Sequence, residues 1–399
     1  MSSRISSRDP LDVLIITTGL WFLAKFLRYT FPPLFEPFQG FYEVSSTELG
    51  LAFSAFMITY AAMQFPSGVL RDRLGPVIVV GTGGTIAGLA SLSLVVDGGF
   101  LLVVTAMVFI GLGTGLHKTV SVTLLAGVYP TRTGRVLGIH DTFGTSAGFI
   151  APIVAVFAVE SIGWRIVFVI GGIAGLVLAG SAFVRLPSRL PDGIKDAADG
   201  RTKQSARDYA SLFANRTFSV FLLLTIGVAF AYNGAVAFLP MYLSDVAGMS
   251  VGLAGAFYSL LFAVSIVQVA TGELSDRTGR LSMIVVLLAI ATLGIATLLV
   301  AQGAILVAVA VVLIGVGAHG FRPVRDAYLT SLLPDDIVGG GLGIARSLLM
   351  GAGAIAPAIV GWSAETFSFP VAFTLLLIAM ALAAVAGLAI FLSERMSSV

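Results

Sequence analysis

Six basic side chains stand inside stretches that are otherwise oily: Lys25, Arg28, Lys118, Arg322, Arg325 and Arg346. Asp141 and Asp326 join them, as do all three histidines, His117, His140 and His319. An ionised side chain at the centre of a bilayer costs about 2.5–3.5 kcal/mol on insertion scales. Such groups must face water, a ligand or one another. A guanidinium offers a planar fork that holds a carboxylate or phosphate at two points. The chemistry these residue types point to is anion binding, with acids and histidines nearby that can exchange protons.

Spacing sharpens this. Trp21, Lys25 and Arg28 recur at i, i+4 and i+7, one face of a helix. Snorkelling from a helix end is the plainer account of Arg28, and Lys25 is harder to explain that way. His319, Arg322 and Asp326 share a second face, with Arg325 beside them. This set reads either as a basic lining with a gate made by Arg325 and Asp326, or as a structural ion-pair cluster. Asp141, Gly144, Gly148 and Pro152 follow a third face, where small residues permit close helix approach. Asp141, Asp326 and His319 are the candidates for carrying a coupled proton. Hydrogen-bonded packing is the plainer account of His117 and His140. Tyr60, Gln64, Tyr232, Asn233, Tyr258 and Gln268 are neutral candidates, equally compatible with bonds between helices. Among these, Tyr232 and Asn233 join Lys25, Arg28, Lys118 and Arg322 as the expected substrate-binding set.

The elements that must position these residues are membrane helices. The chain has 399 residues, 57% hydrophobic and 11% charged, against about 25% charged in a soluble domain. Stretches of the roughly 20 apolar residues that span a bilayer recur at 11–31, 47–69, 77–96, 100–124, 135–158 and 164–185. They resume at 217–240, 249–271, 281–300, 303–329, 338–363 and 368–393. The expected fold is an all-α membrane protein of twelve transmembrane helices in two six-helix bundles. The bundles are placed at 1–185 and 217–399. The polar segment 186–216 is expected to be a cytoplasmic linker, with a surface helix near Arg207 to Phe213. The amino-terminal apolar run follows no small-residue cleavage site and is expected to be a retained first helix.

Arginine and lysine placement sets the orientation. Arg4, Arg8, Arg71, Arg73, Arg132, Arg135, the basic residues of the linker, Arg277, Arg280 and Arg395 fall on one side, with Arg185 at its edge. Arg165 stands alone on the other, among Glu36, Glu43, Glu48, Asp97, Glu160, Asp245 and Glu365. Both termini are therefore expected in the cytoplasm. The chain has no cysteine, which excludes disulfides and thiolate metal sites. No metal-ligand cluster or nucleophile–base arrangement suggests an enzyme. The run GLGTG from Gly111 to Gly115 lies inside an apolar helix, not in the strand-and-loop setting of a nucleotide site. No cofactor and no nucleic acid are implied. The expected partners are a small anion, protons and the lipid bilayer.

The chain repeats itself. GVLRDRLGP (Gly68 to Pro76) and GELSDRTGR (Gly272 to Arg280) lie 204 residues apart, and so do two longer blocks beginning at Ile110 and Ile314. In this register Lys118 corresponds to Arg322 and Gln64 to Gln268. One residue further along the offset, Asp141 corresponds to Arg346, a reversal of charge. Duplicated halves with a substrate site near the midplane between them are a common transporter plan.

Both knots resemble the G-x-L-x-D-R-x-G-R signature of the major facilitator superfamily, and the resemblance covers essentially the whole chain. Pro76 departs from it, where a basic residue is usual. The resemblance implies a secondary transporter working by alternating access, monomeric and in the plasma membrane. It implies that the knots, with Asp72, Arg73, Asp276 and Arg277, latch the cytoplasmic side. It also implies that helix 5 nears helix 10 there, so that Asp141 would pair with Arg322 or Arg325 when that side closes, with Arg346 also at the gate. Transporters of organic phosphates and carboxylates in this superfamily often carry an arginine on helix 1, where Lys25 and Arg28 stand here. The expectation is a carrier of a small organic anion, a carboxylate or phosphate ester, in symport with protons. The alternative is a proton-coupled exporter of drugs or other cationic or lipophilic compounds. Drug-exporter patterns are only partly met: Gly111, Gly113 and Gly115 fit on helix 4 but Met107 replaces the arginine, and Gly144 and Gly148 fit on helix 5 but Phe149 replaces the proline. A non-transporting receptor or lipid-handling protein on the same fold is a further alternative, for which both intact signature loops are counter-evidence.

Overall fold

A computed structural model describes residues 10–190, 212–334 and 338–397. Arg4, Arg8, Lys195, Arg201, Lys203 and Arg207, which entered the orientation argument, lie outside the described residues, as does most of the predicted linker and its surface helix.

All twelve predicted spans are helices. The first six are α1 (Leu11–Thr30), α2 (Ser46–Leu74), α3 (Pro76–Ser93), α4 (Gly99–Val128), α5 (Thr133–Ser161) and α6 (Arg165–Arg185). The second six are α7 (Arg216–Asp245), α8 (Val251–Thr278), α9 (Arg280–Val300), α10 (Ala304–Ser331), α11 (Val338–Thr366) and α12 (Phe369–Ser397). Eleven of them, all but α1, are long and apolar enough to cross a membrane by length and composition. α1 is the helix that carries Lys25 and Arg28. The outer surface is unsuited to water: Leu101, Ile266, Val269 and Ile305 are each more than three-quarters exposed. Such a belt is stable only against lipid.

Local sequence explains the element ends. Ser45 starts α2 with a reciprocal cap: its hydroxyl accepts from the Glu48 backbone N–H, and the Glu48 carboxylate accepts from Ser45 N–H. Asn215 and Ser250 cap α7 and α8 one way only, their side chains accepting from the Phe218 and Leu253 backbone N–H. The repeated knots are sharp reversals between helices. Gly75 has φ +85 and Gly279 has φ +92, a region only glycine enters without strain. Pro76 then opens α3 at the position where its missing N–H costs nothing.

Two local features escaped the sequence reading. A short helix, Phe35–Tyr42, fills the connection between α1 and α2. α8 is interrupted by a 3₁₀ turn at Val264–Ile266, absent from its repeat partner α2. Gln268, just past that turn, donates to the Ser265 carbonyl at 3.0 Å and satisfies a group the break leaves free.

The two halves meet along α2 with α11 and α5 with α8. Among the described residues, the hydrogen bonds between them at these seams lie toward the end away from the signature knots. Thr47 N–H donates to the Glu365 carboxylate at 3.0 Å, and Ala358 N–H to the Ser54 hydroxyl at 2.9 Å. Gly50 lies against the Pro357 carbonyl, and Gly148 against the Phe262 ring. At the knot end the described ion pairs each stay within one half, and Phe65, Asp141 and Arg346 are exposed. The halves are closed against each other at one end and parted at the other.

Candidate functional site

α1, α4, α7 and α10 place the predicted anion-binding residues around the space between the halves. Lys25 and Arg28 are part-exposed on α1, with Tyr29 buried between their turns. Lys25 Nζ donates to the Tyr29 hydroxyl at 3.4 Å. Arg28 Nη2 donates to Asn233 Oδ1 of α7 at 2.8 Å. Its Nε is buried and has no acceptor. Arg322 of α10 lies over the Tyr232 ring, 4.7 Å from its centre, and is within electrostatic reach of Lys25 and Tyr29. The Tyr232 hydroxyl and His319 Nε2 are 3.4 Å apart. Substrate-set residues from both halves therefore converge.

Among the described residues, no carboxylate lies within ion-pair distance of Lys25, Arg28 or Arg322. These three cations lie within electrostatic reach of one another without an acidic partner among the described residues. The other intramembrane bases differ. Lys118 pairs with Asp141 at 2.8 Å, Arg325 with Asp326 at 2.8 Å, and Arg346 reaches Asp326 at 3.7 Å. An unpaired buried charge is costly, and a nearby anion would lower that cost.

Trp21 is the hub on the α1 side. Its ring stacks on His140, centroids 5.9 Å apart, and meets His117 edge-on at 6.3 Å. Lys118 Nζ sits 3.9 Å and Lys25 Nζ 4.9 Å from the ring centre. The indole face is negative and holds both ammoniums. Met350 of α11 packs on the same cluster with Ala24 and Tyr60.

The sequence of the chain matches the profile of the Major Facilitator Superfamily over residues 17–321 and again over 263–398. The chain belongs to the Major Facilitator Superfamily. It is similar to the hexuronate transporter of Bacillus subtilis (strain 168), 30% identical over 61% of this chain and 59% of that relative. The match thus spans less than two-thirds of that relative's length. It is also similar to the probable sulfoacetate transporter SauU of Cupriavidus necator, 27% identical over 71% of this chain and 69% of that one. Among solved structures, a bacterial homologue of the human lysosomal transporter Spinster, in an inward-facing and unoccupied conformation, superposes with a TM-score of 0.82. It is 18% identical and covers 98% of this chain and 99% of that one. The chain is thus a multi-helix membrane protein of this superfamily, and the likeness to the solved structure extends over the whole fold.

The superfamily's signature residues take individual places. Asp72 pairs with its neighbour Arg71 at 2.8 Å, while Arg73 is exposed. In the second knot Arg277 pairs with Glu273 one turn back, and Asp276 is exposed. Arg280 donates to the Ala327 carbonyl of α10 at 3.1 Å. Pro76, its counterpart in the first knot, has no side-chain donor for such a bond.

Asp141 is held by Lys118 of its own half, not by Arg322 or Arg325. The parted knot end separates the halves there, so a cross-half partner is out of play in this arrangement. Gln64 ties helices: it accepts from Thr119 at 2.9 Å and donates to the Gly115 carbonyl at 3.5 Å. Tyr258 is fully buried, edge-on to Phe262, with its hydroxyl unpartnered. His117 and His140 are buried, and His140 Nδ1 is 3.4 Å from the Thr18 hydroxyl.

Sequence reasoning missed Tyr29 and the central place of Trp21 as a site residue. The signal was present, since Tyr29 follows Arg28 and Trp21 precedes Lys25 by one turn, but an aromatic in an apolar helix has no distinctive pattern. A concavity of about 930 Å³ lies elsewhere, floored by α1 between α5 and α6. Leu11, Ile15, Phe22, Phe143 and Ile170 line it, and it carries none of the charged groups.

Proposed function

We propose that the protein is a secondary transporter that carries a small organic anion bearing a carboxylate or sulfonate across the plasma membrane by alternating access. The observation that supports this is the unbalanced set Lys25, Arg28 and Arg322, drawn from both halves and within electrostatic reach of one another. The names of the two similar transporters, hexuronate and sulfoacetate, are of acids of this kind. Tyr29, Tyr232 and Asn233 would orient the uncharged part of the substrate.

The packing supports alternating access. The seams close one end and leave the other open, and rocking the halves about the midplane would exchange them. Orientation follows the positive-inside rule. Arg71, Arg73, Arg132, Arg135, Arg277 and Arg280 ring the knot end, which we assign to the cytoplasm together with both termini, while Arg165 at the far end is paired with Asp97. On this assignment the protein is open inward. Asp72, Arg73, Asp276, Arg277, Arg325, Asp326 and Arg346 belong to a gate at that end, and transport is coupled to protons. The unit boundaries 1–185 and 217–399, the linker 186–216 and a monomeric state are part of the same proposal.

The test is ligand-induced stabilisation of the purified protein in detergent, since a ligand that binds only the native state raises its apparent stability. Hexuronates, sulfoacetate and small organic phosphates are compared with lipophilic cations and neutral sugars. Stabilisation by acids, lost in Arg28→Gln and Arg322→Gln, is the expected result. Stabilisation by lipophilic cations alone would replace this function with proton-coupled export and leave the basic residues as gate groups.

A further inference from the structure

We propose that the Lys118–Asp141 ion pair couples protons to the anion site: an anion that engages Lys118 frees Asp141 to take up a proton, and protonation of Asp141 frees Lys118 for the anion. This rests on the anion-transport function proposed above and identifies which group carries the proton.

The geometry places Lys118 between two functions. Its ammonium is 2.8 Å from Asp141 Oδ1 on one side and 3.9 Å from the centre of the Trp21 ring on the other. Lys25 of the unbalanced cation set stands over that same ring. Lys118 is thus adjacent to the anion site but is charge-neutralised by Asp141. The Asp141 side chain is 66% exposed at the parted end, where water can deliver a proton. No bond other than O–H is made or broken: a proton from water enters the carboxylate, and the ammonium exchanges one anion for another.

The groups around Asp141 are consistent with this role. Lys118 comes from α4, Lys25 from α1, Tyr60 from α2 and His140 from α5 itself, with His117 of α4 in turn near Lys118 and His140. Arg346 of α11 is within electrostatic reach of Lys118. The cations outnumber the acid, and Asp141 is the one carboxylate among them. Its proton affinity therefore depends on where the Lys118 charge is placed.

The other proton candidates are worse placed. Asp326 is held by two cations, Arg325 and Arg346, so losing one leaves the other. His319 is 1% exposed, with Nε2 against Tyr232, and has no path to the open end comparable to that of Asp141.

The experiment is calorimetric titration of the full-length protein in detergent with D-glucuronate and, separately, sulfoacetate. It is run between pH 5.5 and 8.5 in two buffers of different ionisation enthalpy, so that protons taken up on binding are counted. Wild type is expected to take up protons on binding, with affinity falling as pH rises by up to about tenfold per unit. Asp141→Asn should bind tightly at every pH and take up none. Lys118→Gln should bind weakly at every pH. Asp326→Asn and Asp141→Glu should keep the wild-type slope, the latter showing that position 141 accepts a changed side chain. Proton uptake that survives in Asp141→Asn, or vanishes in Asp326→Asn, overturns the proposal. Binding by wild type without pH dependence overturns it while leaving the anion site standing. Failure of wild type to bind either acid at pH 5.5 overturns both.

Discussion

Arg28 Nη2 of the first half donates to Asn233 Oδ1 of the second, 2.8 Å away, across the divide between the bundles. The guanidinium therefore touches both halves from within the anion site, and its buried Nε has capacity for one more acceptor. An anion arriving there would meet a fork whose orientation depends on how the halves are set.

Replacing Arg28 with lysine tests the fork separately from the charge. A lysine keeps the cation but offers a compact ammonium in place of parallel donors. Affinity for the stabilising acid should fall at least about tenfold, or about 1.4 kcal/mol. Titration of Arg28→Lys beside Arg28→Gln measures it, and equal affinity in Arg28→Lys and wild type would show that charge alone suffices.

Ser54 holds the far-end seam. Its hydroxyl accepts the Ala358 N–H, just after Pro357 in α11. Ser54→Ala leaves that donor without its acceptor, a cost of about 1–3 kcal/mol borne when the seam is shut. The population should shift toward a parted far end. Because the chain has no cysteine, a single cysteine at buried Ser363 reports it directly: a membrane-impermeant thiol reagent should label Ser363→Cys faster when Ser54→Ala is also present.

Gly50 makes the same seam possible by size. A Cβ there would collide with the Pro357 carbonyl, a backbone atom that cannot turn away. Gly50→Val should abolish transport in reconstituted vesicles while ligand-free thermal unfolding stays cooperative. Sustained transport would mean that the far end need not close this tightly.

Gln64 provides the contrasting case. Its amide bridges Thr119 and the Gly115 carbonyl between α2 and α4. Gln64→Ala should lower stability by about 1–2 kcal/mol without changing acid affinity. A tenfold loss of affinity with unchanged unfolding would move Gln64 into the binding site.

The twelve helices were legible because each is built on its own apolar run, and the duplication was legible because Gly68–Pro76 and Gly272–Arg280 keep their register. Both knots had to keep glycine, since Gly75 and Gly279 sit at positive φ. The 3₁₀ turn in α8 left no such trace, because Val264, Ser265 and Ile266 are as compatible with a continuous helix as with a break. In the candidate site, the face shared by Trp21, Lys25 and Arg28 was visible from spacing. That Lys118 is neutralised while Arg322 is not was invisible. It depends on whether an acid from a neighbouring helix arrives within 3 Å, and sequence spacing along one helix carries no information about the next.

The reversal of Asp141 against Arg346 gives the duplication a further meaning. Two identical six-helix units related by a twofold axis would present like charge to like wherever equivalent positions approach that axis, and repulsion would oppose their closing. Joined in one chain, the units are free to diverge, and at this pair of equivalent positions they have become opposite in sign. A carrier assembled from two copies of either half alone would carry the same sign at both of these positions.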